Sequence, residues 1–552
     1  MNSSRLGFFG VAAACALSAG GCAGRSPYWD QPIDASGTPY ALARGVVVVD
    51  DADHRAVVLT GATDQGLSRQ ALSIGHHFAS AASSPDGSTL FVLSAGDWPR
   101  QSQSDELPSL TVIAVDGGFH ATETRYTMSE PLANLAIDSQ GKYVVAYQGS
   151  GSTASFAQNP NEVVIFDLTR PASLSPGSTA NPPNPVARTI RSFGGSPQRL
   201  TFSPTLNLPA NAAAAGVTAT PRRLLAIETQ LDVTLLDLDH AFDVPTPRPE
   251  ITVRLTSGAN AQTVSPAGLV IDSNPDDGRI ALRTQNDSNV YTLQLLPSAA
   301  GSPNDFNPSI NLTDVGGIPS DIAFVRTDQG LRVAALVPTT SAAVLVEPDT
   351  SATTKVALPS AYSNLSLVTN VVAGPTSNTD VALLWNTGSG VASGVALWAL
   401  GVTVGQPYRS IEVLQISDAI RDVSDVPSPN DRLKILQTMN GGDFFVLDLV
   451  QRTAAPLHTT SAASLAVAPD GQRLWAFADG GTDLASIDLA TLNPIPLTTN
   501  LPISAVFDVA RPGGRALIAV HARGALGATV FDALNPDTAT SRWIPALLLE
   551  GP

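Results

Sequence analysis

The chain is short of cysteine, of charge and of lysine, and each shortage excludes something. Of its 552 residues only two are cysteines, and Asp, Glu, Lys and Arg together make up 14%. Cys15 falls inside an apolar N-terminal run and Cys22 closes it. With that run removed a single thiol is left, so no intramolecular disulfide can staple the body, and burial must stabilise it. Lysine occurs only at 142, 355 and 434, and 48 acids against 31 bases leave a formal net charge of −17. No Lys/Arg cluster exists to follow a phosphate backbone, which argues against nucleic acid as a partner. The acidity reads as a solubility device. No later stretch reaches the roughly twenty apolar residues of a membrane-spanning helix; even Val333–Val346 is broken by Pro338. There is no Gly-x-Ser-x-Gly elbow, no His-Glu-x-x-His, no Gly-x-x-x-x-Gly-Lys cradle and no cysteine pair for a metal. Accordingly no catalytic residue, metal ligand set or cofactor is assigned from the sequence.

What is present begins at the N-terminus. Arg5 precedes an apolar run, Leu6–Leu17, that gives way to Ser18-Ala19-Gly20-Gly21-Cys22. A basic start, an apolar core of about a dozen residues and a small-residue exit describe an export signal, and glycines at 7, 10, 20 and 21 make poor core helix. The Ala-Gly-Gly-Cys exit resembles the lipobox of bacterial lipoproteins. That resemblance implies lipidation at Cys22, a signal peptide over 1–21 and, with Ala23 following, an outer-membrane address. It departs from the usual pattern in carrying Ala19 where leucine is common. Residues 22–45, with proline, glycine and no apolar period, read as a tether.

From residue 46 to 552 a unit recurs every 40–70 residues, as 44 glycines and 42 prolines suggest for short strands joined by turns. One copy runs Phe78–Ser84, turns at Pro85-Asp86-Gly87, continues as Leu90-Phe91-Val92-Leu93 and resumes at Leu110–Asp116. Another places Pro469-Asp470-Gly471 before Leu474-Trp475-Ala476-Phe477 and Ala485–Leu489. Proline sets the first turn position and glycine takes the positive φ, so each Pro-Asp-Gly joins adjacent antiparallel strands. Weaker copies put their third strands at Val233–Leu238, Val290–Leu295, Ala343–Val346, Val395–Leu400 and Phe444–Leu449. Four short strands cannot bury both faces of a sheet alone, whereas radial stacking does so and leaves only short edges. The motifs Ser84-Pro85-Asp86-Gly87-Ser88-Thr89-Leu90 and Ala468-Pro469-Asp470-Gly471-Gln472-Arg473-Leu474 resemble those of YVTN and WD40-like β-propellers, without the Trp-Asp ending of true WD repeats. The expectation is an all-β chain forming a single β-propeller of about eight four-stranded blades, seven to nine being compatible. Nine units are fairly complete. A fragment, Val46–Asp50 with Ala56–Leu59, is expected to lend outer strands to the last blade and so tie the chain ends together.

In such a ring the loops between second and third strands share a face with the turns entering each blade, the face propellers usually use for ligands. Two of these loops are long, Asp97–Ser109 and Gln148–Asn161. The first offers Trp98, Arg100, Asp105 and Glu106, a contact set of the kind that dominates binding hot spots. His76 and His77 enter the same unit, and His458 and His521 could face the same mouth, although the histidine spacing carries no ligand signature. The acidic turns Asp50–Asp53 and Asn274–Gly278 lack a calcium-loop pattern and read as turn chemistry. The insertions Thr169–Val186 and Thr205–Thr220 fall on the opposite face as Pro/Ala/Ser excursions. The leading functional expectation is an outer-membrane lipoprotein, held at the membrane by its lipid, whose propeller is a non-catalytic platform for a protein or glycan. The alternatives are a lactonase-like, metal-dependent hydrolase using His76 and His77, or a substrate-binding or sensing lipoprotein.

Overall fold

The computed structural model describes residues 33, 35–62, 66–149, 159–172, 183–208, 220–243, 248–257, 262–299, 301–327, 329–372, 378–387, 394–400, 411–416, 419–439, 444–457, 459, 464–521 and 527–545. Cys22 and His458 lie outside them. The described residues form ten four-stranded antiparallel sheets, spanning 40–73, 78–127, 134–189, 199–254, 266–314, 321–357, 364–414, 420–457, 464–498 and 503–545; these are blades 1 to 10.

Within a blade the four strands grade from half-buried to buried to exposed, and composition sets the grading. Second and third strands are apolar on both sides, as in the second strand Thr89–Ser94 and the third strand Ala342–Val346, and are almost wholly buried. First strands, such as Phe78–Ser83 and Asn134–Ile137, are rich in small or polar residues and stay half-exposed along the central channel. Fourth strands, such as Ala121–Thr127 and Thr353–Ala357, present charged and polar side chains to solvent at the rim. The Pro-Asp-Gly turns are as the sequence predicts. Gly87 adopts φ +67 and its N–H bonds the Ser84 carbonyl at 2.9 Å, while Asp86 accepts from Ser84, Ser88 and the Ser88 amide.

Ten blades are two more than expected: each of the nine fairly complete units is a whole blade, and the N-terminal fragment makes the tenth. The N-terminal fragment does not complete the last blade. Val46–Asp50 and Ala56–Leu59 belong to the second and third strands of a blade of their own, whose first strand is Tyr40–Leu42 and whose fourth is Leu67–Ser73. Tyr40–Leu42 falls within the stretch read as tether. Blade 10 is likewise complete from its own chain segment, so the ring closes without strand exchange. Closure is by packing: Val46, Val48, Val57 and Leu59 of blade 1 bury against Val509, Ile518 and Val530 of blade 10, joined by Ile33. The Ala510 N–H also donates to the Ala43 carbonyl at 2.9 Å. Each of the other neighbouring pairs shares an apolar layer of the same kind, for example Leu90, Val92 and Ile113 against Val47, Val49 and Val58.

The insertion at 205–220 carries more order than an excursion. Its ends pair as Leu206–Leu208 with Thr220–Arg222, and Leu206 and Leu208 are buried in the layer between blades 4 and 5.

Candidate functional site

The topology puts turns that enter blades and loops joining second to third strands on one face, here called the entry face. Between blades 1 and 2 three such segments meet. The turn 51–54 of blade 1 carries His54, the turn 74–77 entering blade 2 carries His76 and His77, and the loop 95–108 of blade 2 carries Asp97 and Glu106.

His76 is the hub. Its Nδ1 lies 2.9 Å from Asp97 Oδ1 and its Nε2 lies 3.0 Å from Glu106 Oε2. The His76 amide also donates to Glu106 Oε2 at 3.1 Å. His54 stacks on the His76 ring with centroids 4.0 Å apart, and His77 stands edge-on to both. Glu106 is held from its other oxygen by Arg125, whose guanidinium also donates to Ser73 Oγ at 3.1 Å. The Glu106 amide donates to Asp97 Oδ2 at 2.8 Å, and that bond, followed by the one from His76, holds the Asp97 carboxyl below its usual range.

The backbone is pinned as firmly as the side chains. The Ala95 and Gly96 amides donate to the His77 and His76 carbonyls at 2.8 and 2.9 Å, and the Asp97 amide to the Glu106 carbonyl at 2.9 Å. Gly96 has φ +65, and a Cβ there would stand 2.6 Å from the Glu106 carbonyl oxygen, so only glycine closes this neck without strain. Beneath it the buried hydroxyls of Ser94, Ser109 and Thr111 have no hydrogen-bond partner among the described residues. Gly75 covers the first two, with room for no side chain: a Cβ would meet Ser109 Oγ at 2.4 Å.

The sequence candidates therefore divide. His76, His77 and Glu106 are brought together. Arg100 and Asp105 are not part of that cluster, because the loop uses them to hold itself. Arg100 donates to the carbonyls of Ser102 and Gln103, and Asp105 accepts from the amides of Gln101 and Ser102 and from the Ser102 hydroxyl. The Ser102 hydroxyl, first among these, lowers the Asp105 pKa. Trp98 stays partly exposed on the same loop. His54, Asp97 and Arg125 were not singled out. The signal for His54 was its place in a second-to-third-strand turn, and for Arg125 only the cross-strand pairing of Thr111 with it reveals its reach. Of the second long loop, residues 150–158 lie outside the described residues. The Asp50–Asp53 turn is used structurally: Asp50 and Asp53 both hold Arg55, and Asp51 accepts the Phe78 amide at 2.6 Å. Among the described residues no three His, Cys, Asp or Glu side chains are arranged around one point as metal ligands.

His521 stands apart. It is 4% exposed, at the end of a second strand of blade 10. Its Nδ1 faces the Pro502 carbonyl at 3.2 Å, which can only accept, so Nδ1 carries the proton and Nε2 accepts from the Thr529 hydroxyl at 2.8 Å. Burial pushes its pKa below the ordinary histidine value. The folded state therefore favours the neutral ring. Its stabilising contribution is complete above the unfolded value of about 6.5 and is lost as the pH falls toward the lowered folded value. Urea midpoints measured above and below that range should fall on acidification, and His521→Gln should flatten the fall.

No model of a known protein family matches the chain, and no curated protein sequence matches it. Among solved structures it is similar to the dihydro-heme d1 dehydrogenase NirN in complex with DHE (12% identity, 85% of this chain and 76% of that chain covered, TM-score 0.40). It is also similar to apo AztD from Citrobacter koseri (12% identity, 75% and 96% covered, TM-score 0.33). A third similar structure is the WD40 domain of Neurospora crassa Pan2 (11% identity, 63% and 85% covered, TM-score 0.32). At these levels the likeness concerns the architecture alone.

Proposed function

We propose that the chain is an exported lipoprotein, anchored at the outer membrane through lipid on Cys22, whose propeller is a non-catalytic platform for a protein or glycan partner. The observation that carries the platform reading is the pre-organisation of the loop 97–108. Its neck is locked by His76, Asp97, Glu106 and Arg125, and its tip, Pro99–Ser104, is exposed. A loop ordered before binding loses little entropy when it meets a partner. Hydrolase chemistry at His76 is disfavoured because both ring nitrogens already face carboxylates, leaving neither to take a proton from a substrate.

Three measurements test the reading. Radiolabelled palmitate should enter the wild type and not Cys22→Ser; label persisting in the variant overturns the anchor. A photo-crosslinker placed at Gln101 in intact envelopes should capture a partner that is lost when Glu106→Ala frees the loop. Turnover of simple lactones by the purified protein would overturn the non-catalytic assignment.

A further inference from the structure

A second polar site lies on the entry face, away from the histidine cluster, where blades 4, 5 and 6 meet the channel. Arg199 opens the first strand of blade 4, and Glu228 ends the second strand opposite it. Asp321 opens the first strand of blade 6. Between them the first strand of blade 5, Pro266–Ile271, is interrupted by a bulge at Ala267. Such irregularities re-aim backbone and side chains next to sites.

The bulge brings two guanidiniums onto one peptide segment. Arg199 Nη1 donates to the Ala267 carbonyl at 3.1 Å. Arg283, paired across the sheet with Gly268, lies over that glycine, and a Cβ at 268 would stand 3.0 Å from its Nε. The bare glycine lets Arg283 lie close across the innermost strand. Neither arginine is well partnered. Arg199 approaches Glu228 Oε2 only to 3.6 Å and keeps 56% of its side chain exposed. Arg283 makes one long bond, 3.5 Å to the Pro319 carbonyl, and no carboxylate among the described residues pairs with it directly; Asp321 and Glu228 act on it from farther away. Each guanidinium has five donors, so most of them meet no acceptor among the described residues. Burial pushes Arg283 below its ordinary value, the mark of a half-buried cation without a close counter-ion.

Nearby acids do not fill the gap. The Asp321 carboxylate accepts the amides of Ile322 and Leu365, both at 2.9 Å. Glu228 is 3% exposed, and its Oε1 has no hydrogen-bond partner among the described residues. Thr284 Oγ1, one residue beyond Arg283 and buried, has none either.

We propose that the Ala267–Gly268 bulge is an oxyanion site: a carboxylate or phosphate group of a small solute is held between the guanidiniums of Arg199 and Arg283 at the channel mouth. Planar forked donors of this kind match both anions. The site does not depend on the platform reading, and its failure would leave that reading intact.

Titration calorimetry on the full chain in detergent tests it, with glucuronate as the carboxylate probe and inorganic phosphate as the other. Saturable binding of one probe, in the millimolar range or tighter, supports the site and assigns the anion. Arg199→Ala should weaken that binding about tenfold to a hundredfold, the value of a charged hydrogen bond. Because Arg199 is largely exposed, this variant keeps its fold and decides the matter even if Arg283→Gln does not. Glu228→Gln should tighten the binding by removing a competing carboxylate. No saturable binding of either probe, or binding undiminished in Arg199→Ala, overturns the proposal.

Discussion

Arg55→Met should lower the unfolding free energy by about 3–5 kcal/mol, the cost of leaving one partner of a buried ion pair alone. Arg55 and Asp50 are both fully buried, at directly opposed positions of the second and third strands of blade 1. Two guanidinium nitrogens reach the same Asp50 oxygen, at 2.9 and 2.8 Å, and one of them also lies 2.9 Å from Asp53. With Arg55 gone, the bond left to Asp50 among the described residues is the 3.4 Å one from the Asp53 amide. The double variant Arg55→Met/Asp50→Leu separates this cause from lost packing. It removes the stranded charge and should regain most of the loss, since replacing both members of a buried pair is often neutral or better. Urea midpoints at one pH measure both. A double variant as unstable as the single one would show that shape, and not charge, governs the position. The pair also spans the turn that carries His54, so Arg55→Met should disturb the stacking on His76.

The same pair shows what was legible in the sequence and what was not. Asp50–Asp53 read correctly as turn chemistry, because aspartates next to a tight connection bond local amides whatever the fold. That Arg55 would be wholly buried against them was not readable, since burial of a charged residue depends on the neighbouring blade. The third strands show the opposite case. Val233–Leu238, Ala343–Val346 and Phe444–Leu449 fall within or beside the observed strands because short, largely apolar runs bounded by turn residues suit the buried central strands of stacked sheets. Blade number failed at the N-terminal fragment, where Tyr40–Leu42 is only three residues long and lies between Gly37-Thr38-Pro39 and Arg44-Gly45, so that it passes for tether. At the histidine cluster, His76, His77 and Glu106 could be named from loop position. Asp97 and Arg125 could not be placed, because their roles come from distances across a fold that the linear order conceals.

Ile518→Ala should have an effect out of proportion to its chemistry. Ile518 is fully buried in the layer between blades 10 and 1, and its truncation should cost about 2–5 kcal/mol, as for any large core aliphatic. The equivalent control is Leu345→Ala, in the layer between blades 6 and 7, with an expected loss of the same size. The two junctions differ in one respect. Between blades 6 and 7 the chain itself continues, through residues 358–363, so a separated pair remains tethered at high effective concentration. Blades 10 and 1 are not consecutive in the chain and share no strand, so among the described residues re-closure rests on the apolar layer and the Ala510–Ala43 bond. Local opening free energies are lowest where fewest restraints cross a boundary. Amide hydrogen exchange should therefore quicken selectively in blades 1 and 10 of Ile518→Ala, reaching the His54 turn, while Leu345→Ala should raise exchange with no such polarity. Identical exchange maps for the two variants would mean that the seam is no weaker than the other nine junctions. The histidine cluster would then owe nothing of its order to ring closure. A selective effect would instead make the seam the hinge beside which the candidate loop is held.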